Sequence, residues 1–239
     1  MKKVIIMGAT SGLGLELAKL YITKGCTVGI TGRRTELLQA LQATYPGLHV
    51  KTIDVNRPEA PELLEELIAD LGGMDLYIHS SGIGHNNPRL DPEPEIRTTC
   101  TNVTGFTRLI TAAFNHFARQ GGGHLAAISS IAGTKGLGAA PAYSASKRYQ
   151  STYLSALRQQ ARLRHCPIRV TDIRPGFVRT PLIEGGSYPL QLEAGYAARK
   201  IFSAIEHRRR TAVIDWRYAL LVGAWQLLPN WLWERLPVK

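Results

Sequence analysis

Cysteine is scarce in this 239-residue chain: Cys26, Cys100 and Cys166, all far apart. There is no CxxC pair and no His/Cys cluster at metal-ligand spacing. This excludes a disulfide scaffold and the common zinc modules, and it predicts free thiols in a reducing, cytoplasmic setting. Long apolar runs are missing too. None approaches the roughly 18 residues that span a bilayer, so an integral membrane protein is not expected. The opening MKKVIIMGATSGLG starts like a secretion signal. Its apolar run Val4–Met7 is too short, however, and glycines and Glu16 follow directly, so it reads as a first strand. Linker-like, low-complexity and repeated segments are absent, leaving one domain with a sizeable core. Acidic residues are few, 18 against 29 Lys and Arg, for a net charge of +11. Such a balance suits phosphates, anionic membrane surfaces or nucleic acid. With no nucleic-acid module in the sequence, nucleic acid is the least favoured partner.

Strand and helix patterns alternate along the chain. Strands are predicted at Lys3–Met7, Thr27–Thr31, Leu48–Ile53, Met74–His79, Leu125–Ser129, Ile168–Ile173 and Thr211–Ile214. Helical patterns lie between them at Leu13–Lys24, 34–45, Ala60–Leu71, Glu95–Arg119, Tyr143–His165 and Glu193–His207, with Asn86–Pro94 read as a loop. This alternation predicts a parallel, doubly wound α/β sheet in three α/β/α layers, whose ligands bind outside the carboxyl ends of the strands. The chemistry-bearing residues cluster at those ends. After the first strand comes Gly8-Ala-Thr10-Ser11-Gly12-Leu13-Gly14. Gly8 permits a tight turn, Gly12 lets backbone approach a pyrophosphate, and Gly14 lets the helix pack on the sheet, with the phosphates at the helix N-terminus. The second strand ends in Gly32-Arg33-Arg34 with no acidic residue before Glu36. Arg33, with Arg34 sharing, is suited to a ribose 2′-phosphate and so to NADP(H); the other reading is two surface arginines opening a helix. Asp54-Val55 meets an adenine edge or simply turns the chain. Ser81-Gly82 brings backbone close to a ligand.

Tyr143 and Lys147 are four apart in APAYSASK, on one face of a helix. A free phenol ionises near pH 10, and an adjacent ammonium favours the phenolate, which is what a tyrosine acid/base requires. Ser130, at the end of the fifth strand, is placed to hydrogen-bond a substrate carbonyl. Asn102, polar among apolar neighbours, either props open the helix and holds a water that feeds protons to Lys147, or faces solvent.

Together these residues closely resemble the classical short-chain dehydrogenase/reductases over about residues 1–215. Gly8–Gly14 matches the family's TGxxxGxG element and Asp54-Val55 its adenine-side pair. Asn102, Ser130, Tyr143 and Lys147 match its catalytic tetrad, and Pro175-Gly176, Val178 and Thr180 its nicotinamide segment. The resemblance implies a Rossmann fold and an NADP(H) site drawing on Gly8, Thr10, Ser11, Gly12, Leu13, Gly14, Arg33, Arg34, Asp54, Val55, Ser81, Gly82, Tyr143, Lys147, Pro175, Gly176, Val178 and Thr180. It implies that Tyr143 exchanges the proton of a small-molecule carbonyl/alcohol substrate while hydride passes to or from the nicotinamide. Ser130 would polarise the carbonyl, Lys147 would bind ribose and acidify the phenol, and Asn102 would anchor a relay water. It also implies a homodimer or homotetramer. Two departures stand out. Met7 replaces a threonine, and His79-Ser80-Ser81-Gly82 stands where NNAG is usual, so the polar tie between the first and fourth strands is in question.

The segment at about 181–192, with Leu182, Ile183, Tyr188 and Leu190, reads as a lid over an apolar substrate. His85 either reaches that pocket or is a plain loop residue. The tail 216–239 begins with a helix, Trp216–Leu228, that is apolar all round. Trp216, Leu220, Gly223 and Leu227 form one face; Leu221, Val222, Trp225 and Leu228 form the other. With the basic run His207–Arg210 upstream, it fits either a peripheral membrane anchor or a helix between subunits. The enzymatic rival, a sugar epimerase or dehydratase, needs a larger substrate domain than this tail allows. The rival from another class is a non-catalytic NADP-sensing protein.

Overall fold

The computed structural model describes residues 1–183, 188 and 190–236. Seven strands form the main sheet: β1 (Lys3–Met7), β2 (Thr27–Gly32), β3 (His49–Thr52), β4 (Leu76–His79), β5 (Gly123–Ile128), β6 (Ile168–Pro175) and, after a small two-stranded ribbon of β7 (Val178–Arg179) and β8 (Leu192–Glu193), β9 (Thr211–Ile214). The order is β3-β2-β1-β4-β5-β6-β9, parallel throughout. Val4, Ile5, Ile6 and Met7 of β1 are all fully buried, as a strand covered on both faces requires. On one face lie α1 (Gly12–Thr23), α2 (Thr35–Thr44) and α7 (Ala194–Glu206), packed through Leu17, Leu38 and Ile201. On the other lie α3 (Ala60–Asp70), α5 (Phe106–Gln120) and α6 (Pro141–Leu163), packed through Leu64, Phe106 and Leu154. The chain leaves β1 toward β2 and β3, then returns past β1 to β4. That reversal opens a crevice at the carboxyl ends of β1 and β4.

Most elements fall within two residues of their expected bounds, and the differences have local causes. The expected helix Glu95–Arg119 is three pieces: α4 (Pro92–Thr99), a π-helical segment (Cys100–Gly105) and α5. It begins inside the expected loop because Pro92 occupies the first helical turn, where a missing N–H costs nothing. β5 stops at Ile128 instead of Ser129, and Ser130 caps a short 3₁₀ turn, accepting from the Ala132 N–H at 3.1 Å. Met7 and His79 are register neighbours. A polar tie forms instead between β1 and β2, where the Thr31 hydroxyl donates to the Met7 thioether at 2.7 Å. His79 Nδ1 lies 3.1 Å from the Tyr77 hydroxyl, and burial pushes its pKa down to about 3, so the ring is neutral.

The tail contributes α8 (Trp216–Leu227) and α9 (Asn230–Trp233). Tyr218 and Val222 are buried, whereas Trp216, Leu220, Leu221 and Leu227 are exposed. The chain therefore covers one side of this helix. The basic run lies at the opposite end of β9 from α8, a strand's length away.

Candidate active site

The cofactor side of the crevice is built by the turn after β1. Gly8 has φ +82°, and a side chain there would bring its Cβ to 2.7 Å from the Ser81 nitrogen. A Cβ on Gly14 would come to 2.2 Å from the Gly8 carbonyl. These contacts hold α1 hard against the turn, its first N–H groups free of any side-chain cap. Arg34 reaches back over the turn, its Nη2 donating to Thr10 Oγ1 at 2.6 Å and to Ser11 Oγ at 2.8 Å. The sequence favours Arg33 as the phosphate reader, but it is Arg34 that the fold brings to the turn. Thr180 stands across the cleft, 3.4 Å from where a Gly12 Cβ would sit. Asp54 accepts from the Asn56 N–H at 3.0 Å and serves as a turn residue. Buried Val55 gives its carbonyl to Arg108. Leu13, in the first turn of α1, is partly buried against the core.

The deeper wall gathers the four expected chemical residues from three elements: Asn102 from the π-helical segment, Ser130 from the cap of the 3₁₀ turn, and Tyr143 and Lys147 from α6. The Ser130 side chain lies near enough to the half-buried Tyr143 phenol to favour its ionisation, and its hydroxyl accepts from the Ala132 N–H at 3.1 Å. Lys147 Nζ is buried 5.7 Å from the Tyr143 ring centre, donating to the Ile128 carbonyl at 3.0 Å. Gly82 admits both sides of the wall: a Cβ there would lie 3.3 Å from Asn102 Oδ1 and 3.4 Å from Lys147 Nζ. Asn102 is fully buried in the π-helical segment. Its side chain clamps the loop after β4, accepting from the Ile83 N–H at 2.9 Å and donating to the Ile83 carbonyl at 2.7 Å. Pro175 ends β6, Val178 is buried in β7, and Gly176 lies against the Tyr218 ring.

One expectation needs correction. The net shift of the Tyr143 phenol is upward, because burial outweighs the downward pull of the nearby Ser130 side chain. The phenol is thus protonated near neutrality, a proton donor. Lys147 is lowered to about 8, since burial disfavours the ammonium and Asp172 only partly offsets it. His85 is exposed, 3.0 Å from the Arg97 guanidinium. Of the lid, Glu184–Ser187, Pro189 and the Ile183 side chain lie outside the described residues. Leu182 and Leu190 are exposed, and Tyr188 stacks on Phe177 with ring centres 4.5 Å apart.

The family model for short chain dehydrogenases matches residues 2–187. This chain belongs to that family. An uncharacterized oxidoreductase of Myxococcus xanthus is 34% identical, with 98% of this chain and 95% of the relative covered. The structure of a short-chain dehydrogenase from Sphingobium yanoikuyae in complex with NADPH superposes with a TM-score of 0.82 at 21% identity, covering 99% and 96% of the two chains. A single-residue variant of the actinorhodin polyketide ketoreductase with NADPH gives 0.77 at 25% identity, covering 89% and 94%. The chain is accordingly an oxidoreductase of the short-chain dehydrogenase type with a Rossmann-like sheet.

Three residues of this family member escape a reading by motif. Asp172 is fully buried, paired with Arg174 at 2.8 Å and hydrogen-bonded by Ser129. Tyr218 accepts from the Phe177 N–H at 3.1 Å and donates to the Leu190 carbonyl at 2.9 Å, joining the tail to both the segment after β6 and the lid. Gln150 touches Lys147 and Asn102 together. Gln150 carried a signal: it lies three residues after Lys147, on the same helix face.

Proposed function

We propose that this oxidoreductase is NADP(H)-dependent and reduces a ketone or aldehyde of an apolar substrate, or oxidises the corresponding alcohol. The observation that carries the reading is the gathering of Tyr143, the buried Lys147 ammonium 5.7 Å from its ring centre, and Ser130 in the crevice at the strand ends. The residues present fit a dinucleotide. Gly8 and Gly14 leave room where any Cβ would clash, the start of α1 offers uncapped N–H groups, and Arg34 sets a cation over the turn. The Gly8–Gly14 turn would hold the pyrophosphate, Arg34 with Arg33 the 2′-phosphate, Lys147 the ribose hydroxyls, and Pro175–Thr180 the nicotinamide end. A bound reduced nicotinamide supplies hydride to the carbonyl carbon.

The chain's own groups then handle the oxygen. Ser130 donates a hydrogen bond to the carbonyl and polarises it. Tyr143, kept protonated by burial, gives its proton to the oxygen as negative charge develops there. The products are the alcohol, the oxidised nicotinamide and a Tyr143 phenolate, which the Lys147 ammonium stabilises until a proton returns from solvent. The stacking of Tyr188 on Phe177 gives the lid segment an aromatic surface, which supports an apolar substrate. Tyr143→Phe tests the assignment, with NADPH oxidation followed at 340 nm against a panel of ketones, acyl thioesters and lipid-linked sugars. We expect turnover to vanish while NADPH still quenches intrinsic fluorescence with near wild-type affinity. Retention of most activity refutes it, and absence of single-turnover hydride transfer in the wild type would favour an NADP-sensing protein.

A second reading concerns the tail. Trp216 is 69% exposed, Leu220 65% and Leu227 85%, along one face of α8. A peripheral membrane contact would cover this face, bringing the enzyme to a lipid-borne substrate; a second subunit of a homodimer or homotetramer is the alternative cover. Among the described residues no helix is long and apolar enough to cross a membrane. Liposome co-sedimentation of wild type and Trp216→Ser/Leu227→Gln decides between them. Loss of binding in the variant supports lipid, and unchanged partitioning with a smaller sedimentation coefficient supports the subunit.

A further inference from the structure

Lys147 must keep its ammonium charged and aimed although its surroundings oppose both. It is 4% exposed, and burial draws its pKa down to about 8. From the elements packed against it, it faces Asp172 on β6, whose carboxylate favours the charge, and His79 on β4, which is neutral. Its own helix presents Tyr143. Asp172 is already engaged by Arg174 and Ser129. The direct partners of Nζ are the Ile128 carbonyl at 3.0 Å and Gln150 Oε1 at 3.1 Å.

Gln150 is 1% exposed, and its amide spans a gap between two groups that leave its orientation no choice. The Asn102 main-chain carbonyl only accepts, and it takes the Gln150 Nε2 proton at 2.9 Å. The Oε1 atom is thereby turned toward Lys147, where it accepts from the ammonium. Asn102 in turn is held by Ile83 on the loop after β4 and by the Ser146 hydroxyl at 3.1 Å. The result is an unbroken protein path, Asn102 carbonyl to Gln150 amide to Lys147, along which the dipoles add. In this arrangement the side chain of Gln150 makes the connection between Asn102 and Lys147 that a relay water would otherwise make.

We propose that Gln150 is a positioning residue for the reaction: its amide, fixed by the Asn102 carbonyl, holds the Lys147 ammonium charged and directed at the ribose and Tyr143 side of the crevice. The proposal rests on the assignment of Lys147 and Tyr143 made above. It gives the π-helical segment a purpose, since this segment sets the Asn102 carbonyl facing α6. No proton passes through the amide. Gln150 acts through the equilibrium of Lys147, and Lys147 acts on the phenol.

The test reads Lys147 directly. Protein labelled with [ε-¹³C]lysine is titrated by NMR, and the Lys147 resonance is assigned by its loss in Lys147→Met. Gln150→Leu keeps the bulk and removes the acceptor, and Gln150→Glu supplies a stronger one. The Lys147 midpoint should fall by about one pH unit in Gln150→Leu, a tenfold change in its ionisation equilibrium, and rise in Gln150→Glu. The alkaline limb of kcat for NADPH oxidation should follow in the same directions, with KM for NADPH changed less than kcat. A merely structural role would lower Tm and leave the midpoints where they were. Coincident midpoints in wild type, Gln150→Leu and Gln150→Glu overturn the proposal. Should Gln150→Leu fail to fold, an unmoved midpoint in Gln150→Glu alone overturns it. If Tyr143→Phe stays active while the midpoints move, the functional reading fails and the Gln150–Lys147 linkage stands. If Tyr143→Phe is dead and the midpoints coincide, the linkage alone fails.

Discussion

Removing the Tyr218 hydroxyl should weaken cofactor binding from the tail, although Tyr218 lies outside the crevice. Its ring is 1% exposed and packs so closely on Gly176 that a Cβ there would lie 2.2 Å from it. Tyr218→Phe leaves that packing in place and deletes the bonds to the Phe177 N–H and the Leu190 carbonyl. An N–H and a C=O stranded in a part-buried site cost about 1–3 kcal/mol. For a chain of this size each kcal/mol is worth about 2–4 °C, so Tm should fall on the order of 5 °C. Part of that loss is order in the Pro175–Thr180 segment, so NADPH should bind up to about tenfold more weakly, the equivalent of roughly 1.4 kcal/mol. Scanning fluorimetry and NADPH fluorescence titration measure both quantities. Tyr218→Ala should cost more, about 3–5 kcal/mol, because it also opens a cavity beside Gly176. A Tm within about 1 °C of wild type together with unchanged NADPH affinity would refute the claim that the tail braces the nicotinamide segment.

Other perturbations follow from the same geometry. Arg34→Ala should weaken NADPH more than NADH and more than Arg33→Ala does, because the Arg34 guanidinium lies on Thr10 and Ser11; isothermal titration with both cofactors reads the ratio, and equal losses for NADPH and NADH would sink it. Stability should carry the mark of Lys147. Its folded pKa, about 8, lies below the ordinary 10.5, so the folded state is the poorer proton binder between those values. Its burial penalty is full below pH 8 and is relieved as pH rises toward 10.5. The Tm of wild type relative to Lys147→Met should therefore climb across that window, and a flat difference would contradict the burial argument. Gly14→Ala should abolish NADPH binding or folding outright, its Cβ being driven into the Gly8 carbonyl; circular dichroism with NADPH titration distinguishes the two.

Much of the site was legible because its chemistry is local in the chain. Glycines in a strand–turn–helix context, and a Tyr and a Lys four apart, carry their meaning at short range. Asn102 was readable as a residue that disturbs a helix, and the π-helical segment Cys100–Gly105 surrounds it. What escaped depended on contacts between distant residues. The sequence favours Arg33 over its neighbour, but the path of the chain out of β2 is what folds Arg34 back over the turn. The sign of the Tyr143 shift is hidden from a sequence reading because it is set by burial, a property of everything packed around the phenol.

The sequence by itself determined the alternation of strands and helices, the glycine turn and the helical spacing of the phenol and the amine. Each of these is a matter of backbone period and steric freedom within a few residues. The tertiary structure alone decided which partners those groups meet. It set Gln150 between Lys147 and the Asn102 carbonyl, Tyr218 against Gly176, and one face of α8 toward the core while leaving the other bare. The physical reason is that hydrogen bonding, desolvation and packing act through space, between residues that chain order leaves far apart.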